Sequence, residues 1–199
     1  MQPRLNAYKA TPNMALGAVD AAMPARTITA WLRSAGARSL DDAALIASLG
    51  RHLYDAGLGL DRVTFHVGTL HPDVFARILA WTPGEPVEVF EQDHPATVAA
   101  SFPESPFRQA ASLKKKFVVR GVDPQFLGRA AGHSLQGRGV GELVSAPVSD
   151  RDGRTVIVSF YAARPRIFGA TDHRIIDSVL VSLRTAHACA TWMRGNTRP

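Results

Sequence analysis

The side chains in this sequence that could do chemistry are few and spread out. Seven histidines stand at positions 52, 66, 71, 94, 133, 173 and 187, and no two have the helical spacing of four residues that a zinc pair uses. Haem needs only one axial histidine, so spacing does not exclude it. Each histidine reads as a surface or hydrogen-bonded residue. His66 is the exception, because it falls on the less apolar face of an alternating strand, where a pocket can open. The one cysteine, Cys189, lies between Ala188 and Ala190. Only His187 is near enough in sequence to lower its pKa, so it reads as a buried inert thiol rather than a nucleophile. Lys114, Lys115 and Lys116 form the only dense basic run. In a strand, Lys114 and Lys116 would face one side and Lys115 the other. Such a run either guards an edge strand against aggregation or, with Arg108 and Arg120, forms an anion-binding rim. Trp31, Trp81 and Trp192 read as packing residues. Trp81, on a strand that points it the same way as Phe75 and Leu79, can also floor an apolar ligand pocket. A nucleophile elbow, a P-loop, an HExxH pair and a dinucleotide fingerprint are all missing from the sequence. No set of nucleophile, base and orienting residue can be named. No catalytic residue or metal ligand is assigned, no cofactor is identified, and the expectation is a protein that is not an enzyme.

The chain that must position these residues has 199 of them, 46% hydrophobic and 20% charged. That is the balance of a soluble globular chain, long enough for one domain with a sizeable core and too short for two. No apolar run approaches the roughly 18–20 residues of a membrane-spanning helix. A single cysteine excludes an internal disulfide and fits a reducing compartment, so the expected location is the cytoplasm. Met14 to Ala25 faintly resembles a secretion signal, but Asp20 interrupts its apolar part. The formal net charge is +6 and the pI about 10.1. A basic balance suits an anionic partner. The arginines are scattered, however, and a nucleic-acid footprint is focused, so nucleic acid is not the expected partner.

Residues 1–26 show no periodicity and read as a flexible arm. Thr27 can cap a short helix ended by Gly36. Ser39 and Asp42 form a capping-box variant before Leu45, Ile46, Leu49 and Leu53, which share one helical face. Gly57 ends that helix. Residues 62–70 alternate, with Val63, Phe65 and Val67 on one side and Thr64, His66 and Gly68 on the other. A second strand over 74–82, the turn Pro83-Gly84 and a third strand over 86–90 make a hairpin. Residues 93–112 read as loop with short helical pieces. Phe117 to Val119 form a strand, and Asp123-Pro124 opens a helix carrying Phe126, Leu127 and Ala130. Strands over 142–148 and 155–162 flank the turn Asp150 to Gly153. The second of these is apolar on both faces and therefore central. A long helix from Thr171 bears Ile175, Ile176, Val179, Leu180 and Leu183 on its apolar side. The fold class is α+β, with a central antiparallel sheet and the N- and C-terminal helices packed on one side of it.

The order of these segments resembles a family. Ala56-Gly57-Leu58-Gly59-Leu60, Arg62 and the strand ending Leu70-His71-Pro72 are similar to the opening of the GAF-like sensory domain that precedes the catalytic domain in many bacterial class III adenylate/guanylate cyclases. The strand with Trp81, the pair Ser105-Pro106, and the stretch from Gly153 through Phe168 to Asp172 resemble later segments of it. The resemblance covers residues 27–194, leaving 195–199 as a tail. Gly139-Val140-Gly141-Glu142-Leu143 stands where family members often carry Gly-Ala-Thr-Asp-Tyr. The metal-binding aspartates of a cyclase have no counterpart, so cyclase activity is not implied. What is implied is a GAF-like fold and a regulatory module that binds a small molecule between the sheet and the irregular segment 93–135. Its terminal helix, 171–194, would carry the signal and could pair with a second copy as a homodimer. Strand facing and loop position suggest His66, Trp81, Phe107 and Phe126 as the ligand-contacting residues, with Arg108, Lys114, Lys116 and Arg120 as the anion rim. The alternative is a dimerisation or protein-interaction domain that takes no ligand.

Overall fold

A computed structural model describes residues 22–68, 74–93, 106–123, 135, 137–151 and 154–195. Three helices lead: α1 (Ala22–Arg33), α2 (Ala35–Ser39) and α3 (Asp42–Asp55). The strands β1 (Arg62–Gly68), β2 (Val74–Trp81) and β3 (Glu88–Asp93) follow. Then come α4 (Pro106–Leu113), β4 (Phe117–Arg120), β5 (Val140–Arg151), β6 (Arg154–Ala163) and α5 (Ala170–Gly195).

Local chemistry explains the helix ends. Asp41 caps α3, its carboxylate accepting from the Ala44 N–H at 2.7 Å. Ser39 is therefore not the cap; it closes α2 and donates to Gly36 O. The far end of α3 is a Schellman motif, with Gly57 at φ +81°, Gly57 N–H donating to Tyr54 O and Leu58 N–H to Leu53 O. Thr27 is not a cap either. It lies inside α1, where its hydroxyl donates to Met23 O, because the helix begins upstream at Ala22. At the start of α5 the Gly169 N–H donates to Asp172 Oδ2 at 2.8 Å, the reciprocal half of a capping box.

The six strands form one sheet in the order β3-β2-β1-β6-β5-β4, and every neighbouring pair is antiparallel. The hairpin β2–β3 turns through Thr82 to Glu85, with Gly84 at φ +80°. β5 and β6 pair as far as Arg151 with Arg154. β1 and β6 are central, as the apolar character of both β6 faces implies.

Alternation along the strands divides the protein. Val63 and Phe65 of β1, Leu79 and Trp81 of β2, and Val158 and Phe160 of β6 face one side. Ile28 and Leu32 of α1, Leu49 and Leu53 of α3, and Ile176, Val179 and Leu183 of α5 cover them as the main core. The terminal helices α1 and α5 pack against each other on this side. The second cluster lies on the opposite, distal face: Val122, Leu135, Val140, Leu143, Tyr161 and Ala163, with Phe107 and Val119 against them. No helix among the described residues is long and apolar enough to cross a membrane.

Candidate functional site

The distal face is unusual in what it buries. Arg62, Thr64 and His66 alternate along β1 onto it, and the antiparallel register sets Tyr161 opposite Arg62 and Ser159 opposite Thr64. Ser145 of β5 stands across from Ser159. All six are buried. Each has a hydrogen-bond partner, as buried polar groups must. The Thr64 hydroxyl is the hub, 3.0 Å from His66 Nε2 and 3.3 Å from the Tyr161 hydroxyl. The Ser145 and Ser159 hydroxyls are 2.9 Å apart. Arg62 donates to Thr82 Oγ1 at 2.7 Å and to Glu88 Oε2 at 2.5 Å.

Burial also sets the charge state. Loss of solvation takes the His66 imidazole from its usual 6.5 down to about 3. It pushes the Tyr161 phenol up, against smaller opposing effects of the Thr64 hydrogen bond and the Arg62 charge. Both rings are neutral near pH 7. A base poised for proton transfer there has a pKa near the working pH, and neither ring does.

α4 supplies the cover. Phe107 stacks on the His66 ring, centroids 4.0 Å apart and planes 29° from parallel, and Ala110 of the same helix is fully buried. Of the residues suggested by sequence, His66 and Phe107 are thus brought together. Trp81 is not. It pairs with Val63, not with the His66 side of β1, and so lies in the helix-side core, where its indole rests on Gly50 and meets the Tyr54 ring. Phe126 lies outside the described residues. Arg62, Thr64, Ser145, Ser159 and Tyr161 were not proposed from sequence, although Thr64 and Tyr161 could be assigned to strand faces by alternation.

Of the rim residues, Lys116 and Arg120 do not lie on this face. Lys114, Lys115 and Lys116 precede β4 instead of lying in it, Lys114 taking φ 49° at the turn after α4. Lys116 reaches Asp177 of α5 at 2.5 Å. Arg120 pairs with Glu142 at 2.8 Å, and Glu142 stands across from Ala162 of the helix-side core. The other Glu142 oxygen lies 2.8 Å from His173 Nε2 of α5, which donates when that nitrogen carries the proton. Lys116 and Arg120 therefore tie β4 and β5 to the terminal helix on the side away from His66. Of Arg108 only the backbone, on α4, is described. No group of three or more histidine, cysteine, aspartate or glutamate residues suited to a metal occurs among the described residues.

No protein-family model and no curated protein matches this chain. Its fold has many solved counterparts. The phycocyanobilin-bound GAF domain of a cyanobacterial phytochrome is similar at a TM-score of 0.55 and 18% identity, over 92% of this chain and 100% of that one. Free methionine-R-sulfoxide reductase from Neisseria meningitidis, in complex with its substrate, is similar at 0.57 and 15%, over 89% and 95%. The GAF domain of an Acinetobacter phosphoenolpyruvate-protein phosphotransferase is similar at 0.53 and 14%, over 85% and 93%. The fold is GAF-like. These counterparts include GAF domains and a reductase.

Proposed function

We propose that this chain is a non-catalytic sensory or regulatory module, working in the cytoplasm, that binds a small molecule on the distal face beneath α4. The observation that carries this reading is the buried polar row Arg62, Thr64, His66 and Tyr161, lidded by a half-buried Phe107. A face made only for packing would be apolar, since each buried polar group must regain its hydrogen bonds within the protein. A solved counterpart holds a bilin, which supports the reading by analogy of fold.

Transmission to the terminal helices, as in the regulatory domains of bacterial nucleotide cyclases, is part of the proposal. β4 directly follows α4, with Val119 in the distal cluster. Lys116, ahead of β4, and Arg120 within it meet Asp177 and Glu142 on the α5 side. A ligand that lifts Phe107 would move α4 and strain these ties. α5 and α1 would then present a changed surface to a second copy of the chain. Reductase chemistry is the competing reading. Thiol-based reduction of a sulfoxide calls for a cysteine beside the substrate, and Cys189 lies on α5, the helix that covers the other face.

The test is a thermal-shift screen of the protein and of Phe107→Ala against cyclic nucleotides, nucleotides, haem and common metabolites. A ligand at 100 times its Kd stabilises by about 2.7 kcal/mol, a shift of several degrees. One compound class should raise the wild-type Tm saturably, with a weaker response from Phe107→Ala. A panel without response, together with a Tm that climbs with protein concentration, would replace this reading with a ligand-independent dimerisation domain.

A further inference from the structure

We infer that Arg62 is the receptor for a carboxylate on the small molecule, and that Glu88 holds the receptor's anion position in this structure. The inference rests on the distal-face site of the preceding subsection and names its ligand class. Arginine does not lose its proton in a protein, so a buried guanidinium keeps its charge and requires a counter-charge. The Arg62 side chain is 1% exposed and the Glu88 side chain 43%. The pair is therefore lopsided. Arg62 is fixed by burial and by its bond to Thr82, whereas Glu88 reaches in from the edge strand β3 and can turn to water.

Exchange of the Glu88 carboxylate for a ligand carboxylate leaves the buried charge compensated throughout. Nothing comparable holds for a cationic ligand, which would meet Arg62 head on. Among the described residues, the remaining buried side chains of this face that can hydrogen-bond, Thr64, Ser145, Ser159, His66 and Tyr161, carry no charge near pH 7. The buried carboxylate Glu142 faces the helix side. Arg62 and His66 are two alternations apart on one strand, roughly 13 Å between backbones. That spacing suits an elongated molecule with a carboxylate at Arg62 and an apolar body reaching over Thr64 to the Phe107 lid.

The probes are 4-phenylbutyrate and 4-phenylbutyramide, alike in shape and different in charge. The proteins are the wild type, Glu88→Gln and Arg62→Lys. Glu88→Gln should have a lowered Tm that 4-phenylbutyrate restores and the amide does not. It should bind the acid about tenfold more tightly than wild type, since no internal carboxylate competes. Arg62→Lys should bind it about tenfold more weakly, lacking the planar fork. Equal Kd in wild type and Glu88→Gln, equal response to acid and amide, or no response to the acid would each overturn the carboxylate assignment. The His66 and Phe107 ring resonances separate the two failures. If they move equally with acid and amide, the site stands and the carboxylate assignment falls. If neither these probes nor any compound of the wider screen moves them, both fall.

Discussion

Acid should weaken this protein through one ring, and the size of the effect follows from where the ring lies. His66 is buried on the distal face, with Nε2 on Thr64 and Phe107 against its plane. Its pKa falls from the usual 6.5 to about 3. In the unfolded chain the same ring takes up a proton as the pH drops through 6.5. Between 6.5 and 3 the unfolded state thus binds more protons than the native one, and stability must fall as acid is added. Each pH unit in that window costs about 1.4 kcal/mol, so the step from pH 7.5 to 4.5 removes roughly 3 kcal/mol. For a domain of this size that is a Tm loss on the order of 6–12 °C. The assay is urea unfolding at a series of pH values for the wild type and for His66→Gln, which can still bond Thr64 but cannot titrate. Other groups contribute equally to both proteins, so the difference between the two curves isolates His66. The wild type should be steeper below pH 6.5 by the stated amount. Parallel curves, or a His66 ring that titrates near 6.5 by NMR, would refute the burial argument.

Four further outcomes follow from particular contacts. Gly50→Ala would put a Cβ 2.2 Å from Trp81 Cε3, so the indole must shift; a loss of about 1–3 kcal/mol and an altered tryptophan emission should appear together in denaturant titration. Gly57→Ala forces an alanine to φ +81° in the Schellman turn, and should cost about 1–2 kcal/mol with little spectral change. Glu142→Ala removes a fully buried carboxylate that joins β4 to α5, and about 2 kcal/mol should be lost in thermal unfolding, limited because Arg120 is exposed enough to turn to solvent. Asp177→Asn breaks a more exposed pair with Lys116; its effect should stay under about 1 kcal/mol and vanish at high salt, which a Tm series in sodium chloride will read.

Much of the architecture was legible because it depends on periodicity within single elements. Leu45, Ile46, Leu49 and Leu53 recur at helical spacing, and the structure buries all four on α3. The apolar character of both β6 faces marked it as central, and it pairs with β1 and β5. Helix starts were less legible. A threonine, a serine and an aspartate near a boundary are all competent caps, and only the backbone path decides among them. Asp41 won over Ser39 because α2 occupies Ser39 as its own last residue. The lysine run shows a similar limit. Three consecutive lysines next to apolar residues fit a strand by pattern, but α4 reaches Leu113 and its turn takes up the lysines before β4 begins.

The site exposes a different boundary of sequence reading. Alternation along one strand says which residues share a face, and it correctly joined Thr64 to His66. It says nothing about which face of the next strand lies beside them. That depends on register, and a shift of one residue exchanges the two faces completely. Trp81 is the case in point. With Ala80 opposite Thr64, Trp81 falls opposite Val63, and the indole goes to the helix side. Had the hairpin paired one residue differently, Trp81 would have shared the distal face with Thr64 and His66. The same step conceals Arg62. By sequence it only opens the alternating strand, yet pairing with Tyr161 draws it inside, where Thr82, just past β2, and Glu88 of β3 come to it across the sheet. Thr82, Glu88 and Tyr161 lie 20, 26 and 99 residues from it by their numbering, and no local pattern links them to it. The chemistry of the distal face is thus a property of strand order and register, assembled from residues that look unremarkable where they stand in the chain.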